Sequence, residues 1–449
     1  MIIENIKTAV LFILVGTSLL LTLALWNYQP TYEELGQPTY LEETRMDGDS
    51  RQLTELIHPR NIYFHNYSRH SQPPSPEDLS QLFHDTRTWS FTSIQPFVSE
   101  VSKEDEEVDI LPRSMEVRFS DELPLELIGN IFTINQGERT FWNQNFDRVY
   151  FQLSDDNNEI VHVTFTSDEH DSYVDGEIQS TSVYEYIENL MNREENIPLQ
   201  AYQFNEETTL YLPSERVEIP SYTLLTDEIR DIQPLINNLF NNPSMVRRQV
   251  PSGQNEESYY TDGSRALTTK RVLQNERAMQ FDNPFSTDSP SMTRYEIIRR
   301  SIEFTNDHDG WTDEFYLDTI DDESNEIGYR MYYDGLPLFD IGNHTMIQQT
   351  WEDNRIRQFL RPLFVTSTNF QSEEQVRAVQ SGDSVYAFFE AHQEQFSHDV
   401  QDMRVGYEVI TRSDAENALF LEPEWHIKYN GQWQPFSYFE SMVQTRSDE

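Results

Sequence analysis

Pro423-Glu424-Trp425-His426-Ile427-Lys428-Tyr429-Asn430-Gly431-Gln432-Trp433-Gln434-Pro435-Phe436 carries its large apolar residues at Trp425, Ile427 and Tyr429. That is the period of a strand with one buried face. Asn430-Gly431 is the pair best able to take the two positive φ values of a type I′ turn. Trp433 and Phe436 then return on the far side. The stretch reads as a β-hairpin, with Trp425, Tyr429 and Trp433 expected to be buried on one face. His426 alternates to the other face and reads as a solvated or partly satisfied strand histidine rather than a catalytic one.

The same alternation recurs upstream. It marks strands over 115–119, 149–153 and 160–165, with Asp155-Asp156-Asn157-Asn158 as the turn of a hairpin between the last two. Further strands are expected over 210–213, 258–261, 266–273, 278–281, 315–320 and 327–333. Residues 351–357 either continue the sheet or connect it. Helices are expected over 76–84, capped by Ser75, and over 182–192, capped by Ser182 with Glu185 closing a capping box. Thr226 reads as the cap of a helix over 227–241, which Pro234 should kink or divide. Residues 291–305 form an amphipathic helix with Tyr295, Ile298, Ile302 and Phe304 or Thr305 inward. Residues 373–381 also read as helical. The class is α+β, mostly antiparallel sheet plus helices, without an internal repeat. At 449 residues the chain exceeds one ordinary core, and three domains are expected, over 51–205, 206–288 and 289–449.

Ahead of these blocks, Thr8 to Trp26 (TAVLFILVGTSLLLTLALW) contains no charged residue. As a helix it spans roughly 28 Å, close to the hydrocarbon thickness. Leu25-Trp26-Asn27-Tyr28 is a poor cleavage site, and Trp26 and Tyr28 suit an interface, so a retained anchor is expected. Lys7 precedes the run, while Glu33, Glu34, Glu42 and Glu43 follow it. The positive-inside rule therefore places the N-terminus in the cytoplasm and the bulk of the chain outside the cell. Residues 1–28 make the cytoplasmic tip and anchor, and 29–50, with Pro30, Gly36 and Pro38, a stalk. On the anchor, Ala9, Gly16 and Leu23 share one face, with Ser18 and Thr22 nearly opposite. Small and hydroxyl residues let transmembrane helices approach and hydrogen-bond, so both faces are candidate partner-binding surfaces.

Asp plus Glu number 78 against 32 Lys plus Arg, a formal net charge of −46. That field repels nucleic-acid phosphates and anionic lipid head groups, which argues against nucleic-acid binding and for a body standing off the membrane. Disorder is excluded by 27 Phe, 23 Tyr and 7 Trp spread along the chain. Lys7, Lys103, Lys270 and Lys428 are the only lysines, all other basic residues being arginine. Guanidinium keeps its charge far above the pH at which lysine loses it, so an alkaline or a saline medium fits this exchange. The lack of cysteine excludes disulfides, thiolate catalysis and Cys-ligated zinc.

No catalytic, cofactor-binding or metal set is identified. The histidines lack a metal spacing. Asp307-His308-Asp309-Gly310 is similar to part of a calcium loop, but Thr305 and Tyr316 occupy the terminal ligand positions, so a helix-ending turn is the better reading. Carboxylates are too numerous for one pair to stand out as acid and base. A protein without catalytic activity is expected. The alternative is a membrane-anchored extracellular cell-wall hydrolase or ligand-binding protein, which requires a deep polar cleft with convergent carboxylates or a metal.

Several segments together resemble the YycH (WalH) family. They are the run from Ser18 to Tyr32 (SLLLTLALWNYQPTY), Tyr211-Leu212-Pro213, Ile219-Pro220-Ser221-Tyr222, Leu239-Phe240, Tyr260-Thr261-Asp262-Gly263 and Leu421-Glu422-Pro423-Glu424-Trp425. They occur in order along essentially the whole chain. The resemblance implies a membrane-anchored accessory protein of an essential Gram-positive two-component system. It implies action with a sister protein, YycI, on the YycG/WalK sensor histidine kinase that governs cell-wall metabolism, with contact through transmembrane helices. It also implies a three-domain ectodomain whose later portion is similar to YycI in fold. The extreme acidity and scarcity of lysine depart from the family.

Overall fold

A computed structural model describes residues 7, 14–18, 32–34, 46, 48–97, 112–134, 144–167, 173–204, 209–250, 257–271, 277–284, 292–352, 355–367, 375–396, 400–412, 415 and 417–447. Its architecture is α+β, with two large, mostly antiparallel sheets.

Among the described residues the first sheet has nine strands and centres on Asn61–Asn66, Ser114–Pro124, Asn145–Leu153 and Ile160–Thr166. Asn145–Leu153 and Ile160–Thr166 pair as the expected hairpin. In the latter, buried and half-buried residues alternate, as a strand with one face on the core requires. Ser114–Pro124 is buried almost throughout, because both of its faces are covered. Against this sheet lie helices Pro76–Thr86 and Thr181–Met191. Ser75 caps the first by accepting from the Asp78 amide, with Pro76 in the opening turn. The second is capped by Ser180, which accepts from the Val183 amide, not by the expected Ser182.

Among the described residues the second sheet has sixteen strands. Its long members are Val217–Glu228, Val400–Ile410 and Ala418–Tyr429, and it continues through Glu326–Tyr333 and Arg355–Pro362 to the strands around 258–282. Helix Arg294–Asn306 packs on it through Ile297, Ile298, Ser301, Ile302 and Thr305, with Thr293 and Glu296 forming a capping box. After this helix, 307–310 is a turn whose Gly310 amide donates to Thr305 O at 2.9 Å. Of residues 351–357, Trp351 and Glu352 end one strand and Arg355 and Ile356 begin the strand paired with it, while 353 and 354 lie outside the described residues. One apolar core runs between both sheets. A smaller one gathers Tyr202, Leu212, Phe389, Trp425, Ile427 and Phe439 near the C-terminus.

Two helical expectations are corrected. Thr226 lies inside strand Val217–Glu228, and the helix is only Gln233–Leu239. Pro234 stands in its first turn, where a missing N–H costs nothing, so proline starts this helix rather than kinking it. Residues 375–379 form a strand paired to Val217–Glu228, and the helix there is Gly382–Ala391, capped by Ser381. Cross-strand pairing overrides helix propensity at that edge.

The terminal hairpin joins Ala418–Tyr429 to Gln432–Pro435, with φ of 50° at Asn430 and 76° at Gly431. Its register sets Tyr429 opposite Gln432 and Lys428 opposite Trp433. Directly opposed residues share a face, so Trp433 sits with Lys428 and His426 and not with Trp425. A two-residue loop reverses the parity that plain alternation carries across a turn. His426 is fully buried, because this face is covered by Phe339, which overturns the solvated reading but leaves the partly satisfied one, with Nε2 2.9 Å from Glu408 Oε2 and Nδ1 without a partner.

Candidate interaction site at the junction of the two sheets

The sheets meet around a cavity of about 370 Å³. The loop before Asn61–Asn66 brings His58 and Arg60 to it; the second sheet brings Tyr332, Asp334, Arg404 and Tyr407. Arg60 is ion-paired with Asp402 across the junction. His58 stacks on Tyr316 at 4.5 Å, its Nε2 lies 3.0 Å from Ser80 Oγ, and burial pushes its pKa down to about 4. It is therefore neutral at neutral pH. Arg294 donates to Asp121 at 2.8 Å, and the same carboxylate accepts from the Ile320 amide at 2.9 Å. These contacts tie the first sheet to the second through partly buried charges, which weaken little with salt.

Deeper in the second sheet, Asp318 lies between two guanidinium groups. It accepts from Arg330 Nε at 2.8 Å and from Arg404 Nη2 at 2.7 Å. Burial alone would push this carboxyl up, but Arg330 and Arg404 hold it well below the usual range. The Phe339 ring lies 4.4 Å from Arg330 and 5.1 Å from Arg404, and His426 stacks on it at 4.0 Å. Trp433 covers Arg404 at 4.2 Å. His426 Nε2 is 2.9 Å from Glu408 Oε2. Burial pushes His426 down to about 3, and burial with Asp340 nearby pushes Glu408 up to about 7.

A third cluster belongs to the first sheet. Glu116 lies 2.8 Å from His65 Nε2 and accepts from Arg118 Nε at 2.8 Å, while His65 Nδ1 is 2.9 Å from His70 Nδ1. Burial opposes ionisation of Glu116, but Arg118, His65 and Arg148 overcome it and keep the carboxylate charged. Its two oxygens are committed to buried partners, so the arrangement ties strands together and offers no free base. Sequence reasoning missed this cluster and the one around Asp318. The available signal was polar residues at alternate positions of apolar strands, as in Met115-Glu116-Val117-Arg118.

Of the residues singled out from sequence, Trp425 is 3% exposed and donates from Nε1 to Gln380 O at 2.8 Å. Tyr429 is half-buried against Phe396 and Phe439. The Gly431 amide donates to Gln401 Oε1 at 2.8 Å. Gly16 and Ser18 fall in a helical stretch, 14–18, where a Cβ on Gly16 would meet nothing within 4 Å. Ala9, Thr22 and Leu23 lie outside the described residues, as does most of the expected anchor. Among the described residues no helix is long and apolar enough to cross a membrane, and no three His, Asp or Glu are placed to hold a metal ion.

Fold and clusters together define an α+β protein of two large, mostly antiparallel sheets with a few of its charges turned inward as structural ties. The YycH protein N-terminal domain matches residues 4–196, and the YycH protein C-terminal domain matches residues 207–442. The chain belongs to the YycH family. It is 22% identical to the "Two-component system WalR/WalK regulatory protein YycH" of Bacillus subtilis, over 97% of this chain and 96% of that protein. The crystal structure of YycH from Bacillus subtilis superposes with a TM-score of 0.69 at 16% identity, covering 87% of this chain and 99% of that one. An uncharacterized protein from Eubacterium rectale overlaps 56% of this chain and 94% of its own, with a TM-score of 0.35 and 11% identity.

Proposed function

We propose that the chain is a membrane-anchored extracytoplasmic regulator without catalytic activity. Together with a YycI-like partner it modulates a YycG/WalK-like sensor histidine kinase through contacts between transmembrane helices. The carrying observation is the extent of the family match, which starts at residue 4 and so includes the uncharged run 8–26. The end-to-end similarity to a protein named as a WalR/WalK regulator supports the same reading. So do the sealed clusters at Asp318 and Glu116, whose carboxylates are spent on structural partners. The reading calls for no cofactor, metal or nucleic acid. Three ectodomain parts, 51–205, 206–288 and 289–449, belong to it, the last similar to YycI.

The test exchanges residues 1–28 for an unrelated single-pass anchor in living cells and reads kinase output alongside membrane level. Loss of regulation at normal membrane level is expected. Unchanged regulation would move the function to the ectodomain, and an anchored hydrolase would keep working.

A further inference from the structure

A cavity of about 440 Å³ lies between helix Arg294–Asn306, the end of helix Gln233–Leu239 and the start of strand Arg355–Pro362. It is lined by four arginines, Arg265, Arg299, Arg300 and Arg355, against two carboxylates, Glu303 and Asp307. Glu303 is already paired with Arg299 at 2.7 Å. In a chain of net charge −46, such a concentration of guanidinium groups runs against the field of the whole molecule.

Two of these side chains are held without full satisfaction. Arg265 is 5% exposed; one Nη donates to Leu239 O at 3.3 Å, while its buried Nε has no partner. Arg300 carries a buried Nη1 without a partner. Beside them Asn283, 8% exposed, spends its Nδ2 on Ile356 O, and its buried Oδ1 is also without a partner. A buried guanidinium N–H without an acceptor is costly, and the ligand that removes the cost is an oxyanion. The arginines come from a loop, a helix and a strand, and so reach the cavity from separate elements. The guanidinium fork matches carboxylate and phosphate alike, but a phosphoryl group has three terminal oxygens to a carboxylate's two and so can engage more of these separate arginines at once. The volume exceeds what one small anion fills and falls in the range of small-molecule sites.

We propose that this cavity binds the phosphoryl group of a phosphate ester, held by Arg265 and Arg300 with Arg355 at the mouth. Either a soluble ester or a phospholipid head group presents that chemistry. The site does not rest on the kinase reading.

The test is isothermal titration of the full-length chain in neutral detergent at one fixed salt concentration. Glycerol 3-phosphate is the soluble probe and a short-chain phosphatidylglycerol the head-group probe. One saturable site is expected, weakened at least about tenfold by Arg265→Gln and by Arg300→Gln. Arg377→Gln, which removes an outlying pair with Glu422, should leave it unchanged. Binding of the soluble probe assigns a free ester, and binding of the lipid probe alone assigns a head group; both uphold the phosphoryl site. If Arg265→Gln loses its fold by circular dichroism, Arg300→Gln and the exposed Arg355→Gln decide. No saturable binding of either probe, equal binding in the folded variants, or equal binding of succinate would overturn it.

Discussion

Glu408 and His426 face each other on the second sheet, each held in its neutral form by burial. Glu408 is raised from 4.5 to about 7. Between those values the unfolded chain has lost its proton and the folded chain retains it, so rising pH draws stability from the fold. Glu408→Gln removes that term. The variant should gain on the wild type between pH 5 and 8 by ~2–3 kcal/mol, measured as the difference of urea unfolding free energies. A constant difference across that range would show that Glu408 is ionised in the fold. His426 behaves oppositely, its contribution being present above its unfolded pKa near ~6.5 and lost as pH falls toward 3. Trp425 is a simpler case. With its ring enclosed and its indole N–H bonded to Gln380 O, Trp425→Ala should cost ~3–5 kcal/mol. A loss under ~1 kcal/mol would contradict the enclosed ring.

At the scale of elements, caps and turns act as local instructions, while strand faces take theirs from neighbours. Ser75, Thr293 and Ser381 each accept a backbone amide at a helix start, a bond closed within the first turn, although Thr226 offers the same side-chain oxygen and lies in a strand because its neighbours pair it there. The anchor is the element on which the proposed regulation depends. A helix that only tethers needs length and apolarity, whereas one that recognises neighbours needs close approach and hydrogen bonds. Gly16→Leu, and Ser18→Leu together with Thr22→Leu, should therefore each weaken association with a different partner helix. Each contact is worth ~0.6–2 kcal/mol, so the loss should be partial in a bacterial two-hybrid assay, at unchanged membrane level. Native association by an all-leucine anchor of equal length would remove this role.

For the molecule as a whole, the basic charge is almost entirely arginine, whose guanidinium ordinarily stays charged through the alkaline range, the fully buried Arg361, pushed down to about 10 by burial, being an exception. Tyrosines set the alkaline limit instead. Burial raises Tyr150 to about 12, and burial with a hydrogen bond to Asp85 raises Tyr186 to about 12. A raised tyrosine contributes stability below its unfolded pKa near ~10 and loses it as pH climbs toward 12. The unfolding free energy should therefore hold nearly level from pH 8 to 10 at moderate salt and fall beyond. A steep loss already between pH 8 and 9.5 would count against an alkaline origin of the arginine content, and rescue only by molar salt would favour the saline one.

Sequence alone settled what depends on near neighbours. The alternation at 160–165, the turn at Asn430-Gly431, the cap at Ser75 and the inward places of Ile298, Ile302 and Thr305 on helix Arg294–Asn306 follow from spacing and backbone preference over a few residues, though the buried Ile297 and Ser301 were not among those named. The α+β class followed from them, and the dispersed motifs between Ser18 and Trp425 sufficed for the family. Only the tertiary structure decided which polar residues are sealed in. Asp318 and Arg404 stand 86 positions apart, and Arg60 and Asp402 stand 342 apart. Nothing in either local pattern names its partner, because pairing over such separations is set by sheet order and register. The burial of His426 escaped for that reason, because its cover, Phe339, comes from a distant strand, whereas the face of Trp433 was misjudged locally, at the two-residue turn; the arginine cavity, drawn from a loop, a helix and a strand, left no mark on any single stretch of the chain.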